Sequence, residues 1–550
     1  MSTPQAHERP TSRRPFAFGR AAHLALALAA APLFIAFVWQ STIATVSDDS
    51  VSYLAMARWF AGTADAFLAP WLAWHSHFPP FFPMVLAATG GSGDFLMGHI
   101  VVGAFAAASV FLLARYAAIR LQSDWGGFWV AAAFLCLPTA WVSVKGILSE
   151  SLYLAITLAA LLVHEKWLAR AAPRARTYLI FGVLLALAYS TRAVGVTLIG
   201  AWLLHEGVKA LSTRRVPRAA WLALVPAILA AVGWALARPG GHVYTSTIRS
   251  VVRTWLAVPV LSARVTSEML SAGWVASFVA EGDVSAPVRW VILGVGAAAL
   301  AGSVRAAMRN RIDGWYVILS ALLLFLWVFG VDNMRRLLYP VVALALLHAA
   351  ELVVAAARRL RIAKPHLAVT AVCGVPLALC LPATALVAEK ARDGVLLVED
   401  TRYRASDITD YYRIINRAEA RAFAAKHAAT LAGLEALRTA TPVGARVMWM
   451  RPEYVALLGG REAVPYYYEW DARTLAAKIR AGRVDYLVVA GISKSDLAIR
   501  TGEAVTALRN AEPYSQPVYA LGNPFTGQDE FILLRVDRDA LETYLAAAPR

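Results

Sequence analysis

The segment 47-SDDSVSYLAMARWFAG-62 sets two adjacent carboxylates, Asp48 and Asp49, directly after an apolar block. Tyr53, Leu54, Ala57 and Arg58 follow at helical spacing, so the acids belong at the N-terminal end of a short helix. Negative charge is favoured there by the helix dipole, and an N-cap with an acidic neighbour is the plain structural alternative. Farther along, 75-HSHFPPFFPMVLAA-88 supplies His75 and His77. Their ring nitrogens can ligate a metal or contact phosphate, or stand exposed in a loop. Pro79-Pro80 fixes an extended turn before another apolar helix.

Other charges stand at the edges of apolar blocks. Glu150 opens the run 149-SESLYLAITLAALLV-163, where an unpaired charge is costly and calls for a partner or a function. Lys145, five residues earlier, is the nearest candidate partner in sequence. Arg192 sits between two apolar blocks, and Arg335 and Arg336 follow Asp332. These arginines could form a salt bridge to Asp332 or snorkel to lipid headgroups.

The elements that position these residues cross a membrane. Apolar residues make up 59% of the 550-residue chain and charged residues only 16%, well below the roughly 25% usual in soluble domains. The apolar residues fall in blocks long enough to cross a hydrocarbon core. Hydropathy predicts about eleven spans: 21–43, 97–120, 126–143, 147–169, 177–191, 192–208, 218–238, 288–309, 313–331, 335–358 and 365–388. The pair at 177–208 reads equally as two short helices or one long broken helix.

The formal net charge is +17, almost all of it before residue 389. Threaded from a cytoplasmic N-terminus, the chain places its basic clusters at Arg9–Arg20, Arg115–Arg120, Lys166–Arg176, Lys209–Arg218, Arg305–Arg311 and Arg358–Lys364 on the cytoplasmic side. Asp48, Asp49, Glu150 and Asp332 then fall on the outer side, as do loops 44–95 and 239–287 and everything after residue 388. A basic excess spread over cytoplasmic loops is a topology signal, and no soluble domain carries a nucleic-acid footprint.

Residues 1–20 read as a basic cytoplasmic N-terminus, 21–388 as the transmembrane part with a retained first helix, and 389–550 as a periplasmic α/β domain. In the last part, strand-like runs at Arg446–Met450, Val484–Ala490, Pro517–Leu521 and Glu530–Val536 alternate with helical patterns at 406–440, 471–481 and 501–510. The three cysteines lie in apolar blocks and supply neither a disulfide framework nor a zinc spacing. No Asn stands in an Asn-x-Ser/Thr sequon, which favours a bacterial membrane. No Walker A pattern and no Gly-x-Gly-x-x-Gly following a strand occurs, which argues against a nucleotide cofactor or a nucleotide-sugar donor.

In the outer loop, an acidic pair is followed by Tyr, a short amphipathic helix and an aromatic-Pro-Pro turn. This arrangement resembles the first outer loop of GT-C glycosyltransferases. Three further stretches resemble the same superfamily, in the same order: 149-SESLYLAITLAALLV-163, 190-STRAVGVTLIGAWLL-204 and 332-DNMRRLLYPVVALALL-347. The nearest patterns are those of lipid A aminoarabinose transferases and protein O-mannosyltransferases. The resemblance covers residues from about 20 to 360.

It implies an all-α GT-C-type membrane bundle with outer-loop juxtamembrane helices, followed by the α/β domain. It also implies an inverting transfer of sugar from a polyprenyl-phosphate donor to an extracytoplasmic hydroxyl of a lipid, glycan or protein. Asp49 occupies the position of the general base, with Asp48 beside it to position it or raise its pKa. Glu150 becomes a second acidic residue that orients the acceptor, and Arg192, Arg335, Arg336 and His77 become donor-phosphate contacts, with Arg192 and one of Arg335 and Arg336 preferred.

Where the aminoarabinose pattern carries an acid and a lysine before Pro-Pro, this chain has His77-Phe78, which removes one expected phosphate contact. A divalent cation on Asp49, His77 and Glu150 is left open. The aromatic run 465-PYYYEW-470 could stack on sugar rings, or pack as an ordinary Tyr-rich strand. An outer-leaflet glycan ligase or polymerase, a lipid or glycan transporter and an inactive scaffold are the alternatives. Against the transporter, the spans at 21–43, 97–114, 288–304 and 365–388 carry no interior charge, and no internal repeat is found.

Overall fold

The computed structural model describes residues 16–41, 48–64, 66–68, 71–72, 78–169, 174–214, 218–237, 243–279, 284–326, 331–362, 365–395, 417–465, 471–491 and 510–547. Helix α1 (Phe16–Ser41) leads to α2 (Asp48–Phe60), α3 (Phe81–Ala88) and the long α4 (Phe95–Leu121). Next come α5 (Asp124–Leu135), α6 (Pro138–Val142), α7 (Glu150–Val163), α8 (Ala175–Thr191), α9 (Val196–Thr213) and α10 (Val225–Ala237). The segment between α10 and the next span forms α11 (Val243–Ala257) and α12 (Pro259–Phe278). Helices α13 (Ala286–Met308), α14 (Ile312–Leu326), α15 (Val331–Arg359) and α16 (Pro365–Val395) complete the bundle.

The chain is a multi-pass membrane protein. Among the described residues, eight helices are long and apolar enough to cross a bilayer, and two more apolar helices, Ala175–Thr191 and Ile312–Leu326, are shorter. The stretch read as a span at 126–143 is not one helix. Leu137 is extended (φ −73°, ψ 132°) and Pro138 starts α6, because a residue before proline is pushed out of the α region. The pair at 177–208 resolves into two helices broken at Arg192, which is extended at φ −147°, ψ 137°. Gly195 follows the break, and a Cβ there would lie 2.7 Å from the backbone of Ala188 and Tyr189. The turn that aims Arg192 therefore requires glycine.

Helix α4 packs against α1, α5 and α7, and α15 packs against α12, α13 and α16. Helix α15 is the most enclosed span, as its neighbours on several sides require.

After the bundle, α17 (Arg417–Ala440) precedes a five-stranded mixed sheet: β1 (Arg446–Trp449), β2 (Glu462–Pro465), β3 (Tyr486–Ala490), β4 (Ser515–Gly522) and β5 (Asp529–Val536), in the order β2-β1-β3-β5-β4. Strands β2, β1 and β3 are parallel, whereas β3, β5 and β4 are antiparallel. Alternation along the strands builds two cores: Val447, Trp449, Phe531 and Leu533 pack on the α17 side, and Met448, Leu487 and Leu534 pack on the other. The predicted strands appear, with β2 in addition; residues 501–509 and 466–470 lie outside the described residues.

Candidate functional site

Four side chains from distant parts of the chain meet at one end of the bundle. Asp49 is in the first turn of α2, Glu150 is the first residue of α7, Arg192 stands at the α8–α9 break, and Arg336 is in the second turn of α15. Arg336 Nη1 lies 2.6 Å from Asp49 Oδ2, and Arg336 Nε donates to Glu150 Oε1. The same Glu150 oxygen lies 2.7 Å from Arg192 Nη1. The result is an alternating row, Asp49–Arg336–Glu150–Arg192, of two carboxylates and two guanidiniums.

Exposure differs along the row, with Glu150 the most deeply buried member. The Glu150 side chain is fully buried, Arg192 is 11% exposed, and Asp49 is 30% exposed. A fully buried carboxylate is tolerated when cations and hydrogen bonds replace its water, and two guanidiniums do so here. Its second oxygen, Oε2, is buried and has no hydrogen-bond partner among the described residues. Leaving such an acceptor unmatched costs about 1–3 kcal/mol or more. That oxygen keeps its capacity to accept a hydrogen bond.

Ser149 and Tyr53 hold the row in place. Arg192 Nη1 donates to Ser149 Oγ at 3.2 Å, and the Tyr53 hydroxyl lies 2.9 Å from the same oxygen. Burial pushes the Tyr53 phenol well above its usual range, with Arg192 pulling it down and the carboxylates of Asp49 and Glu150 adding to the rise; it stays protonated. The Tyr53 ring meets Phe78 and Phe82 edge-on, each with centroids 5.1 Å away. The acidic helix and the Pro-Pro turn are thus packed together through one tyrosine.

The partner of Glu150 is not Lys145. Lys145 donates to the Phe37 carbonyl at 3.2 Å and sits 3.9 Å over the Phe37 ring. Of the two consecutive arginines, Arg336 faces the carboxylates. Arg335 is buried at 3% exposure, and its backbone nitrogen comes close to Gly273 of α12. Asp48 is the first residue of α2; its side chain, that of Asp332, and His75 and His77 lie outside the described residues.

For a divalent cation the described groups are a poor fit. No cluster of three or more His, Cys, Asp or Glu side chains is placed to hold one among the described residues. Asp49 and Glu150 meet across the Arg336 guanidinium, so a cation between them would have to displace it.

The α2 helix is also tied to the C-terminal region. Arg58 donates to the carbonyl of Ser92 and, from Nη1, to the carbonyl of Leu457, each at 3.2 Å.

No protein-family model matches the chain, and no curated protein matches it. Solved structures do. An oligosaccharyltransferase from Archaeoglobus fulgidus, tethered to an acceptor peptide containing the NVT sequon, aligns at 14% identity and TM-score 0.50, covering 92% of this chain and 74% of that one. The Archaeoglobus fulgidus oligosaccharyltransferase AglB, in complex with an inhibitory peptide and a dolichol-phosphate, aligns at 12% identity and TM-score 0.50, covering 94% and 74%. ArnT from Cupriavidus metallidurans, bound to undecaprenyl phosphate, aligns at 14% identity and TM-score 0.48, covering 96% and 99%. At these identities the likeness is one of fold, and the fold of this chain is that of the GT-C glycosyltransferases.

Proposed function

We propose that the chain is a GT-C membrane glycosyltransferase that moves a sugar from a polyprenyl-phosphate carrier to a hydroxyl of a lipid, glycan or protein. The observation that carries this reading is the alternating row of Asp49, Arg336, Glu150 and Arg192 on a GT-C fold. Guanidiniums suit phosphate because their donors match its oxygens in pairs. The neighbouring carboxylates suit the acceptor.

Asp49 takes the proton from the acceptor hydroxyl as its oxygen attacks the anomeric carbon. The carbon–oxygen bond to phosphate breaks on the opposite face, and the configuration inverts. The electron pair leaves with the polyprenyl phosphate, whose growing charge Arg336 and Arg192 neutralise. Glu150 holds both arginines in register and offers Oε2 to the acceptor or the sugar. Asp48 lies beside the base in sequence and would position it. Because Arg336 bonds Asp49 in the free protein, a donor phosphate that takes over Arg336 also frees the base.

The basic loops support a site on the outer face of a bacterial inner membrane, with the N-terminus in the cytoplasm and residues 389–550 in the periplasm as a lid or acceptor-binding module. Charge distribution supports this orientation. The test is sugar transfer by the purified protein in lipid, supplied with a panel of polyprenyl-phosphate sugars. Release of polyprenyl phosphate by the wild type and not by Asp49→Asn supports both the class and the base. Release by both removes Asp49 from the mechanism. No release from any donor by a folded protein brings the transporter or scaffold reading forward.

A further inference from the structure

At the opposite end of the bundle, a cavity of about 360 Å³ lies between the C-terminal ends of α4, α13 and α15. Arg120, Arg305, Arg309, Arg311, Arg358 and Arg359 line it, and Glu351 is the only acid among its lining residues.

Two of the six arginines are already matched. Arg120 pairs with Glu165 at 2.8 Å and with Glu351 at 3.2 Å. Arg311 pairs with Glu351 at 2.5 Å and with Asp313. Asp313 is itself fixed by Tyr116, whose hydroxyl donates to it at 2.8 Å, and lies 3.2 Å from His348, which bonds Ser303 at 2.7 Å. The floor of the cavity is therefore rigid. Gly302 reinforces it: a Cβ there would come within 2.3 Å of the His348 carbonyl oxygen, so α13 and α15 touch backbone to backbone.

Arg305, Arg309, Arg358 and Arg359 form no ion pair with a described residue. Three helix C-termini contribute roughly half a negative charge each, which leaves a surplus of about two positive charges facing the cavity. A phosphate answers that surplus, and guanidiniums bind it through paired donors. The apolar surround indicates which phosphate. Val304 and Met308 on α13 and Leu360 after α15 are 42%, 83% and 75% exposed, next in sequence to the unpaired arginines. In a membrane-spanning chain those side chains meet acyl tails. Basic pockets between the ends of membrane helices suit acidic lipid headgroups.

We infer that this cavity binds the phosphate-bearing headgroup of an anionic phospholipid, with the acyl chains running along Val304, Met308 and Leu360. The site is separate from the Asp49 row and does not depend on the glycosyltransferase reading.

The test is lipid retention by the full chain in nanodiscs made of phosphatidylglycerol and phosphatidylcholine, followed by native mass spectrometry. The wild type should retain phosphatidylglycerol over phosphatidylcholine. Arg305→Gln with Arg309→Gln should lower that preference by about tenfold, whereas Arg305→Lys with Arg309→Lys should keep most of it, since charge and topology are preserved. If the double glutamine variant does not stay monodisperse, Arg309→Gln alone, at an exposed position, should still lower the preference severalfold. Equal retention of the two lipids by the wild type overturns the inference, as does an unchanged preference in the glutamine variants. Displacement of the retained lipid by excess inorganic phosphate also overturns it, and assigns the cavity to a soluble anion.

Discussion

Arg336 Nη1 lies 2.6 Å from Asp49 Oδ2, so the carboxylate proposed to accept the acceptor's proton is bound to a cation before substrate arrives. The same guanidinium reaches a second, fully buried carboxylate at Glu150. On the proposed mechanism, exchange of one of these partners for the donor phosphate converts this arrangement into a reactive one.

Asp49→Asn should leave the fold and donor binding intact, because the side chain is partly exposed and its replacement is isosteric. Sugar transfer should fall by about 10²–10⁴-fold, the range for a lost general base. Parallel measurement of polyprenyl-phosphate release and donor binding separates a lost base from a lost binding contact.

Arg336→Gln should destabilise the protein as well as slow it. The variant leaves buried Glu150 with Arg192 as its remaining ion-pair partner, and breaking a buried pair costs about 3–5 kcal/mol. Arg336→Lys keeps the charge but cannot bridge two carboxylates with a planar fork. Its thermal midpoint should therefore lie between those of the wild type and the glutamine variant. Equal midpoints for all three proteins would mean that Glu150 does not rely on Arg336.

Chelation should leave sugar transfer unchanged, since Arg336 stands where a bridging cation would sit. Assaying transfer with and without EDTA, then with added manganese, checks this. Loss on chelation and recovery with manganese would require Arg336 to swing away from both acids.

Arg58→Ala removes the bonds from α2 to the Ser92 and Leu457 carbonyls. Hydrogen bonds from charged groups contribute about 1.5–3 kcal/mol each. Amide exchange should accelerate around residues 452–459 and change little in α7 and α15. A uniform acceleration would point to general loosening of the chain.

Asp313→Asn tests the network under the arginine cavity. Asp313 is 1% exposed and faces Arg311, Tyr116 and His348. Removing its charge should lower stability by about 3–5 kcal/mol, read as a lower thermal midpoint. The folded fraction should keep its KM for donor, because the network lies at the other end of the bundle.

Much of the architecture is legible in the sequence because membrane helices write themselves as apolar blocks with charged ends. The blocks at 97–120, 288–309 and 335–358 fall within helices Phe95–Leu121, Ala286–Met308 and Val331–Arg359, apart from Arg309, one residue past its helix. The acid pair opens α2 as its helical spacing predicts. Pairing across the bundle is harder to read. Nothing in the spacing tells Glu150 to choose Arg192 and Arg336 over Lys145, since that choice depends on how four helices pack.

Ser149 escaped notice as a serine before an acid, yet Tyr53 and Arg192 both bond it. The loop at 239–287 carries no helix assignment from its sequence pattern, and the structure forms α11 and α12 within it. Strand β2, with the sequence EAVP, is too short to alternate visibly. The network under the arginine cavity did leave a signal: His348 and Glu351 stand inside an apolar span, where an ionisable residue implies a partner.

Two ion-pair clusters tie the same pair of helices. Glu150 and Arg336 meet near the N-terminal ends of α7 and α15, and fifteen residues on, Glu165, in the π-helical turn that follows α7, and Glu351, inside α15, share Arg120. Each interval rises about 22 Å. If one helix slid along the other by a turn, both clusters would break together. The pair therefore works as a ruler locked at both ends. A thinner or thicker bilayer can tilt it, but shear of Arg336 against Glu150 is resisted from the far side of the membrane.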